Sequence, residues 1–239
     1  MDKSGYKIHL GALLLASLLL LGGCATNGDR RDPLEPLNRA VYRFNETVDD
    51  AAIKPVAQVY KDVLPQPVRT GIGNFFSNLD DVLVLLNDLL QFKLEHAAAD
   101  LSRLVWNTTA GIAGIFDVAT GMGLEKRDED FGQTLGYWGI GDGPYLVLPI
   151  LGPSSLRDLT GRVVDWQFDP VTQHSNVAER NSASALKIVD TRARLLATDK
   201  VLDEAALDPY VFVRDAFLQR RRSLVYDGDP PRLKLDFDE

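Results

Sequence analysis

Residues 79–94 read LDDVLVLLNDLLQFKL, the most apolar segment of the chain beyond its first two dozen residues. Leu79, the run Val82-Leu83-Val84-Leu85-Leu86, Leu89, Leu90, Phe92 and Leu94 leave little polar face apart from Asp80, Asp81, Asn87, Asp88 and Gln91. The pattern predicts a helix apolar nearly all round, and such a helix is either central in a core or in contact with lipid. It is shorter than the roughly 18 to 20 apolar residues that cross a bilayer. The sequence leaves both readings open.

Other helices flank this segment. Asp32-Pro33-Leu34-Glu35 predicts a helix start, with Asp at the N-cap, Pro at the first helical position and Glu three residues on. Leu37, Val41, Phe44 and Val48 follow as one apolar face. Leu101, Leu104, Val105, Thr108, Ile112, Ile115 and Phe116 predict another stripe, in which Gly111 and Gly114 permit close helix approach. Between Gly132 and Pro153, Gly136, Gly139, Gly141, Gly143, Pro144 and Pro149 interrupt Tyr137, Trp138, Tyr145 and Leu146. So much glycine and proline excludes a helix. What remains is a hairpin packed on the domain, or a loop meeting acyl chains or a partner. Helices resume at Ser155 (Leu156, Leu159, Val163, Trp166), at Leu186 (Val189, Ala193, Leu196) and at Asp208-Pro209 (Tyr210, Val213, Phe217). Arg220–Arg222 complement the dipole at the end of the last one. The expected architecture is a single, mostly α domain of amphipathic helices over 32–226, with a Gly/Pro-rich apolar hairpin or loop. Residues 227–239 lack pattern and predict a disordered acidic tail.

The first residues carry an address. Lys3 and Lys7 precede the apolar run Leu10–Leu21, and Leu21-Gly22-Gly23-Cys24 follows. This order predicts a signal peptide over 1–23. The four closing residues resemble a bacterial lipobox, which implies lipid attachment at Cys24, the only cysteine, and a lipidated linker over 24–31. Ala25, in place of an Asp, points to the outer membrane. Removing the leader leaves 216 of the 239 residues, and losing Asp2, Lys3 and Lys7 moves the net charge from −8 to −9. That balance argues against nucleic acid as a partner. With Cys24 lipidated, no disulfide forms within the mature chain.

Signs of catalysis are few. His96 and His174 stand without neighbours at metal-ligand spacing. No nucleophile elbow is present, and Ser154 and Ser155 read as a helix cap. Gly139-Ile140-Gly141-Asp142-Gly143 lacks the ending that grips phosphates. Adjacent pairs Asp49-Asp50 and Asp80-Asp81 diverge by about 100° on a helix, and Asp128-Glu129-Asp130 reads as a solvated acidic turn. The expectation is no catalytic residue, no metal and no cofactor.

A series of short motifs does carry information. Asp32-Pro33-Leu34-Glu35-Pro36-Leu37-Asn38-Arg39 is followed by Tyr42 and Phe44-Asn45, then by Leu64-Pro65-Gln66-Pro67-Val68-Arg69, Asn74-Phe75 and Trp106-Asn107-Thr108. Phe131–Gly136, Gly143-Pro144-Tyr145, Leu148-Pro149, Arg157-Asp158, Arg192-Ala193-Arg194 and Asp208-Pro209-Tyr210 with Arg214 complete it. With these motifs the chain resembles the MlaA (VacJ) family of outer-membrane phospholipid-transport lipoproteins from Asp32 to about Arg222. The resemblance implies a ring of helices in the inner leaflet of the outer membrane around an amphipathic channel. It further implies two protein partners, a trimeric porin and a soluble periplasmic phospholipid carrier. It implies non-enzymatic removal of phospholipid from the outer leaflet, powered by ATP used in a separate inner-membrane complex.

The physics of the cargo agrees. Exposing acyl chains to water costs about 0.8 kcal/mol per methylene, and a headgroup in hydrocarbon costs several more. A path therefore needs a polar wall beside a greasy one. The residues expected to contact lipid are Leu83, Leu85, Leu86 and Leu89 in the apolar helix and Tyr145, Leu146 and Leu148 in the 137–151 segment. Asn38, Arg39, Asn45 and Asn107 either line the channel or serve as satisfied structural groups. Two alternatives stay open: a non-transporting scaffold lipoprotein bound to porins, and a membrane-anchored lipid hydrolase.

Overall fold

The computed structural model describes residues 29 and 31–232, without the side chains of 200–205. The leader, Cys24 and residues 233–239 lie outside the described residues.

Nine helices and one hairpin are described. Helix α1 (Glu35–Val48) runs through a π-helical turn, Asp49–Ile53, into α2 (Lys54–Val63). The long α3 (Gln66–Leu90) begins with Pro67 in its first turn and is followed by α4 (Leu94–Thr109) and the single turn α5 (Val118–Gly121). Then come α6 (Phe131–Tyr137), the antiparallel hairpin β1 (Tyr145–Leu148) and β2 (Gly152–Ser155), α7 (Leu156–Asp165), α8 (Val177–Ala205) and α9 (Pro209–Val225). No helix among the described residues is long and apolar enough to cross a membrane.

Contacts between elements close into a circuit. Helix α3 packs on α4, α8 and α6; α8 packs on α2; α1 reaches β1; the hairpin meets α7 and α9; and α6 packs on α7 and α9. The one aromatic cluster sits where α1, the hairpin and α9 meet. Tyr145, Val147 and Tyr210 are buried there against Val41, Tyr42 and Phe217. Tyr42 and Tyr145 both meet the Tyr210 ring edge-on, at 5.7 and 6.3 Å between centroids.

The faces of the helices are the reverse of a water-soluble domain. In α3 the buried positions include Asp81, Asn87 and Asp88, while Leu86, Leu89 and Leu90 are exposed. In α4, Asp100, Arg103 and Asn107 are buried, and Leu101, Val105 and Trp106 are exposed. The apolar faces expected for α1 and α7 are divided: Leu37, Phe44, Leu156, Val163 and Trp166 are exposed, Val41 packs on the aromatic cluster, Val48 and Leu159 are half-buried, and Asn38, Arg157 and Asp158 are buried. The helix expected over 79–94 breaks at Gln91–Lys93, where α3 ends at Leu90, Phe92 adopts left-handed backbone and α4 begins at Leu94, and along both helices the polar stripe is the inner one.

Two local expectations are corrected. Asp32 does not cap α1, which starts three residues later behind Leu34. Its buried carboxylate instead accepts from Asn38 Nδ2 at 2.8 Å and from the Tyr210 hydroxyl. The stripe from Leu101 to Phe116 is not one helix, because α4 ends at Thr109 and Ile112, Ala113 and Gly114 all adopt left-handed backbone. Gly114 does permit a close approach, since a Cβ there would stand 2.4 Å from Asn78 Cβ on α3. The caps expected at Ser155 and Asp208 are present, accepting from Asp158 N and from Tyr210 N and Val211 N. In the segment expected as a tail, Asp227 lies 2.5 Å from Lys93 Nζ and the carbonyl of Pro231 accepts from Arg222.

Asparagines hold the hairpin. Asn38 Nδ2 donates to Tyr145 O at 2.9 Å while its Oδ1 accepts from Val147 N at 2.9 Å, so one amide side chain supplies what a neighbouring strand would. Asn45 repeats the device near the hairpin tip with Leu148 O and Ile150 N. Asn38→Ala leaves several buried groups unpaired at roughly 1 to 3 kcal/mol each. The expected loss is about 2 to 4 kcal/mol in detergent-solubilised protein followed by denaturant melts, against under about 1 for the more exposed Asn45→Ala. Equal costs at both positions would contradict this account of the hairpin.

Candidate functional site

The polar stripes of α3 and α4 meet inside the molecule, and most of their groups are satisfied there. Gln91 Nε2 donates to Glu129 Oε2 at 2.8 Å and to Thr134 Oγ1 at 3.1 Å, and Thr134 in turn donates to Asn87 at 2.8 Å. Lys93 closes on Glu129 at 3.0 Å. Arg103 donates to Thr120 at 3.1 Å and to the carbonyl of Leu124, and pairs with Asp117 at 3.3 Å. Asn107 donates to Asp117 at 3.1 Å and accepts from Ala119 N at 3.0 Å. On the far side Arg221 of α9 joins Asp130, the N-cap of α6, to Asp158 of α7 at 2.5 and 2.8 Å. Asp128-Glu129-Asp130 is therefore a set of structural clasps, not a solvated turn.

One pair lacks ordinary partners. Asp88 and Asp100 have no exposed surface, and among the described residues no donor reaches their carboxylates within normal hydrogen-bond range. Arg127 Nη1 stands 3.7 Å from Asp100. Burial first, then a hydrogen bond to Asp100 and the negative charges of Asp100 and Glu129, push the Asp88 carboxyl up to about 8. A carboxyl buried beside two other acids favours its neutral form, and that is the physical meaning of the shift at Asp88.

Two cavities adjoin along α3. One, of about 1040 Å³, is apolar and lies among Val68, Gly71, Ile72, Phe75, Phe76, Ile115, Phe116 and Leu186. The other, of about 430 Å³, is polar, and its walls include Asp80, Lys126, Lys187, Arg194, Arg220 and Arg221. Phe76 lines both. The larger volume is at the top of the range of about 300 to 1,000 Å³ typical of small-molecule sites.

The residues expected from sequence to meet lipid are not gathered in one place. Leu86 and Leu89 are exposed at 38 % and 46 %, Leu85, Leu146 and Leu148 are half-buried, and Leu83 lines the polar cleft. Tyr145 is corrected: it is 0 % exposed, because the first position of β1 points into the aromatic cluster. Other apolar groups of the same segment are outward, namely Trp138, Ile140, Ile150 and Leu151. Asn38, Asn45 and Asn107 are satisfied structural groups, and Arg39 stacks 4.4 Å above the Tyr210 ring and pairs with Asp208 at 2.8 Å. The cavity-lining Gly71, Phe75 and Ile115 went unrecognised as site residues, although Asn74-Phe75 stood among the motifs. Ser154 and Ser155 are buried, with Ser155 Oγ used as a cap, so neither stands as a nucleophile. Among the described residues no group of three or more His, Cys, Asp or Glu could hold a metal ion.

A helical domain with polar stripes inside, greasy faces outside and an apolar cavity beside a polar cleft belongs to the class of lipid-handling, membrane-associated proteins. The comparisons narrow that class. A profile of the MlaA lipoprotein family matches residues 30–224, and the chain belongs to this family. It is 39 % identical over 232 residues to the intermembrane phospholipid transport system lipoprotein MlaA of Escherichia coli (strain K12), covering 93 % of this chain and 91 % of the relative. The protein of that name from Haemophilus influenzae is 33 % identical, with 93 % and 92 % covered. A solved structure from work on the structural basis for maintenance of bacterial outer membrane lipid asymmetry superposes with a TM-score of 0.72 at 34 % identity, covering 84 % of this chain and all of that one.

The raised Asp88 carboxyl has a pH signature. A carboxyl whose folded-state pKa is raised stabilises the fold fully below its unfolded value near 4, and this contribution is lost as pH rises toward 8. Melting temperature is expected to fall from pH 5 to pH 8, by up to about 1.4 kcal/mol of stability per pH unit. Asp88→Asn should remove at least half of that slope. An unchanged slope in the variant would contradict the raised pKa at Asp88.

Proposed function

We propose that this chain acts in intermembrane phospholipid transport, removing phospholipids from the outer leaflet of a bacterial outer membrane and so maintaining lipid asymmetry. The observation that carries this reading is the pair of cavities meeting at Phe76, one apolar and one polar. A phospholipid needs both, because its chains and its headgroup carry opposite solvation costs. The outward apolar faces of α1, α3, α4 and α7 suit helices lying in a leaflet, with Cys24 as the lipid anchor. In this reading the circuit of helices is a collar around the lipid path, seated in the periplasm-facing leaflet beside a trimeric porin. It passes lipid to a soluble periplasmic carrier. The family is a lipid-transport component rather than a known enzyme family, and the chain moves its cargo without chemical change.

The apolar helix supplies the test. An Asp at hydrocarbon depth costs about 2.5 to 3.5 kcal/mol, so Leu86→Asp with Leu89→Asp in the full chain should weaken membrane seating more than tenfold. Outer-leaflet phospholipid, read by surface labelling of cells, should rise to the level of cells lacking the protein, while export and folding persist. Normal asymmetry with the double variant would sink the reading of α3 as a lipid-facing helix. Normal asymmetry in cells lacking the protein would favour a passive scaffold.

A further inference from the structure

The polar cleft carries both signs of charge, with Asp80, Asp128, Glu129 and Asp130 among its walls. Five cations line it: Lys126, Lys187, Arg194, Arg220 and Arg221. Three of them face an anion on the same wall, Lys187 to Asp80 at 2.5 Å, Arg220 to Asp128 at 3.2 Å and Arg221 to Asp130 at 2.5 Å. The other two are held from behind. Arg194 Nη2 lies 2.8 Å from Asp190, and Lys126 closes on Asp81. Asp190 and Asp81 are each 1 % exposed and neither lines the cleft. A counter-charge placed behind a cation fixes it and leaves its front open. Asp190 is itself held by the Tyr60 hydroxyl of α2 at 2.9 Å, so two helices position Arg194. Among the described residues Asp190 is the only partner of Arg194, whose side chain is 58 % exposed.

These two cations share the cleft with Phe76, which also lines the apolar cavity. Arg194 lies over Gly73 of α3, where a Cβ would come within 3.0 Å of its Nη1. Lys126 Nζ donates to Ser77 O at 3.2 Å. Gly73 and Ser77 are one turn apart on the same face of α3, about 6 Å along its axis. Phe76, which lines both cavities, falls between them in sequence. A guanidinium and an ammonium in one cleft suit an anion with two free oxygens, and the guanidinium fork takes such an anion in bidentate fashion.

We propose that Arg194 and Lys126 form the site that receives the phosphodiester of the phospholipid headgroup, while the acyl chains occupy the apolar cavity past Phe76. Asp190 and Tyr60 are positioning residues for Arg194. This assignment rests on the lipid-path reading above and names the group that selects phospholipid over neutral lipid.

Equilibrium binding to the purified, lipidated full chain in detergent micelles tests it, with three probes: fluorescent phosphatidylglycerol, fluorescent diacylglycerol without phosphate, and inorganic phosphate as competitor. Wild type should bind phosphatidylglycerol more tightly than diacylglycerol. Arg194→Gln should weaken phosphatidylglycerol about tenfold and leave diacylglycerol unchanged, with Arg194→Lys, which keeps a charge beside the buried Asp190, recovering part of the loss. Phosphatidylglycerol binding by Arg194→Gln equal to wild type would overturn the assignment, as would equal loss of both lipids. Displacement of phosphatidylglycerol by millimolar inorganic phosphate would overturn it in favour of a free-phosphate site. Failure of wild type to bind either lipid would overturn the lipid-path reading itself, and this assignment with it.

Discussion

Buried carboxylates, amides and guanidinium groups must find partners or shed their charge, and here that requirement organises the whole domain. Helices α3 and α4 each carry a polar stripe of Asp, Asn, Gln or Arg, and the stripes face each other. In water such stripes would face out and the leucines in. The opposite choice is stable only where the outer medium is itself apolar, because there an outward Asp costs more than an inward one that is paired. Arg103 with Asp117, Arg221 with Asp130 and Asp158, and Lys93 with Glu129 are the pairs that make the inward choice tolerable. Asp88 meets the same constraint differently, because its burial beside Asp100 and Glu129 pushes its carboxyl toward the neutral form.

This arrangement also explains why the hydrophobic core is small. Among the described residues Tyr145, Val147 and Tyr210 form the buried apolar cluster, and it sits at the hairpin. Elsewhere the interior is knit by directional bonds, which set geometry more sharply than apolar contact does. Asn38 and Asn45 grip the backbone of the hairpin, and the π-helical turn brings Asp49 to Arg192 of α8 at 2.7 Å. Rigid walls of this kind leave room for cavities of contrasting chemistry to persist side by side. Phe76 is their common boundary, and its neighbours Gly71 and Gly73 admit Ile115 on one side and Arg194 on the other.

Much of this was legible in the sequence, and the gaps have physical causes. The periods of the apolar residues in 37–48 and 156–166 mark helices, the 79–94 segment is helical only to Leu90 because Phe92 turns left-handed, and the Ser155 cap is legible because capping is local. Periodicity alone does not say which face is inside. The same spacing describes a soluble helix and an inverted one, and only the fully buried Asp88, Asn87 and Asp100 decide between them. Asp32 misled because its sequence context matches a cap while its carboxylate is claimed by Tyr210, nearly the whole domain away. Tyr145 misled because alternation in a four-residue strand sends its odd positions inward. The pairing of Arg194 with Asp190 at helical spacing was visible, but its place over Gly73 depends on how α8 crosses α3. The short motifs spoke for family membership throughout, without saying what each residue does.

The central claim is that the outer surface of this domain is built for hydrocarbon. Its three tryptophans, Trp106, Trp138 and Trp166, are all exposed on that surface, at 45 %, 50 % and 42 %. Intrinsic fluorescence in vesicles whose acyl chains carry bromine reads their surroundings directly. Blue-shifted emission, strongly quenched by the brominated chains and sheltered from aqueous iodide, is the predicted result. Water-like emission, open to iodide and indifferent to bromine, would contradict it.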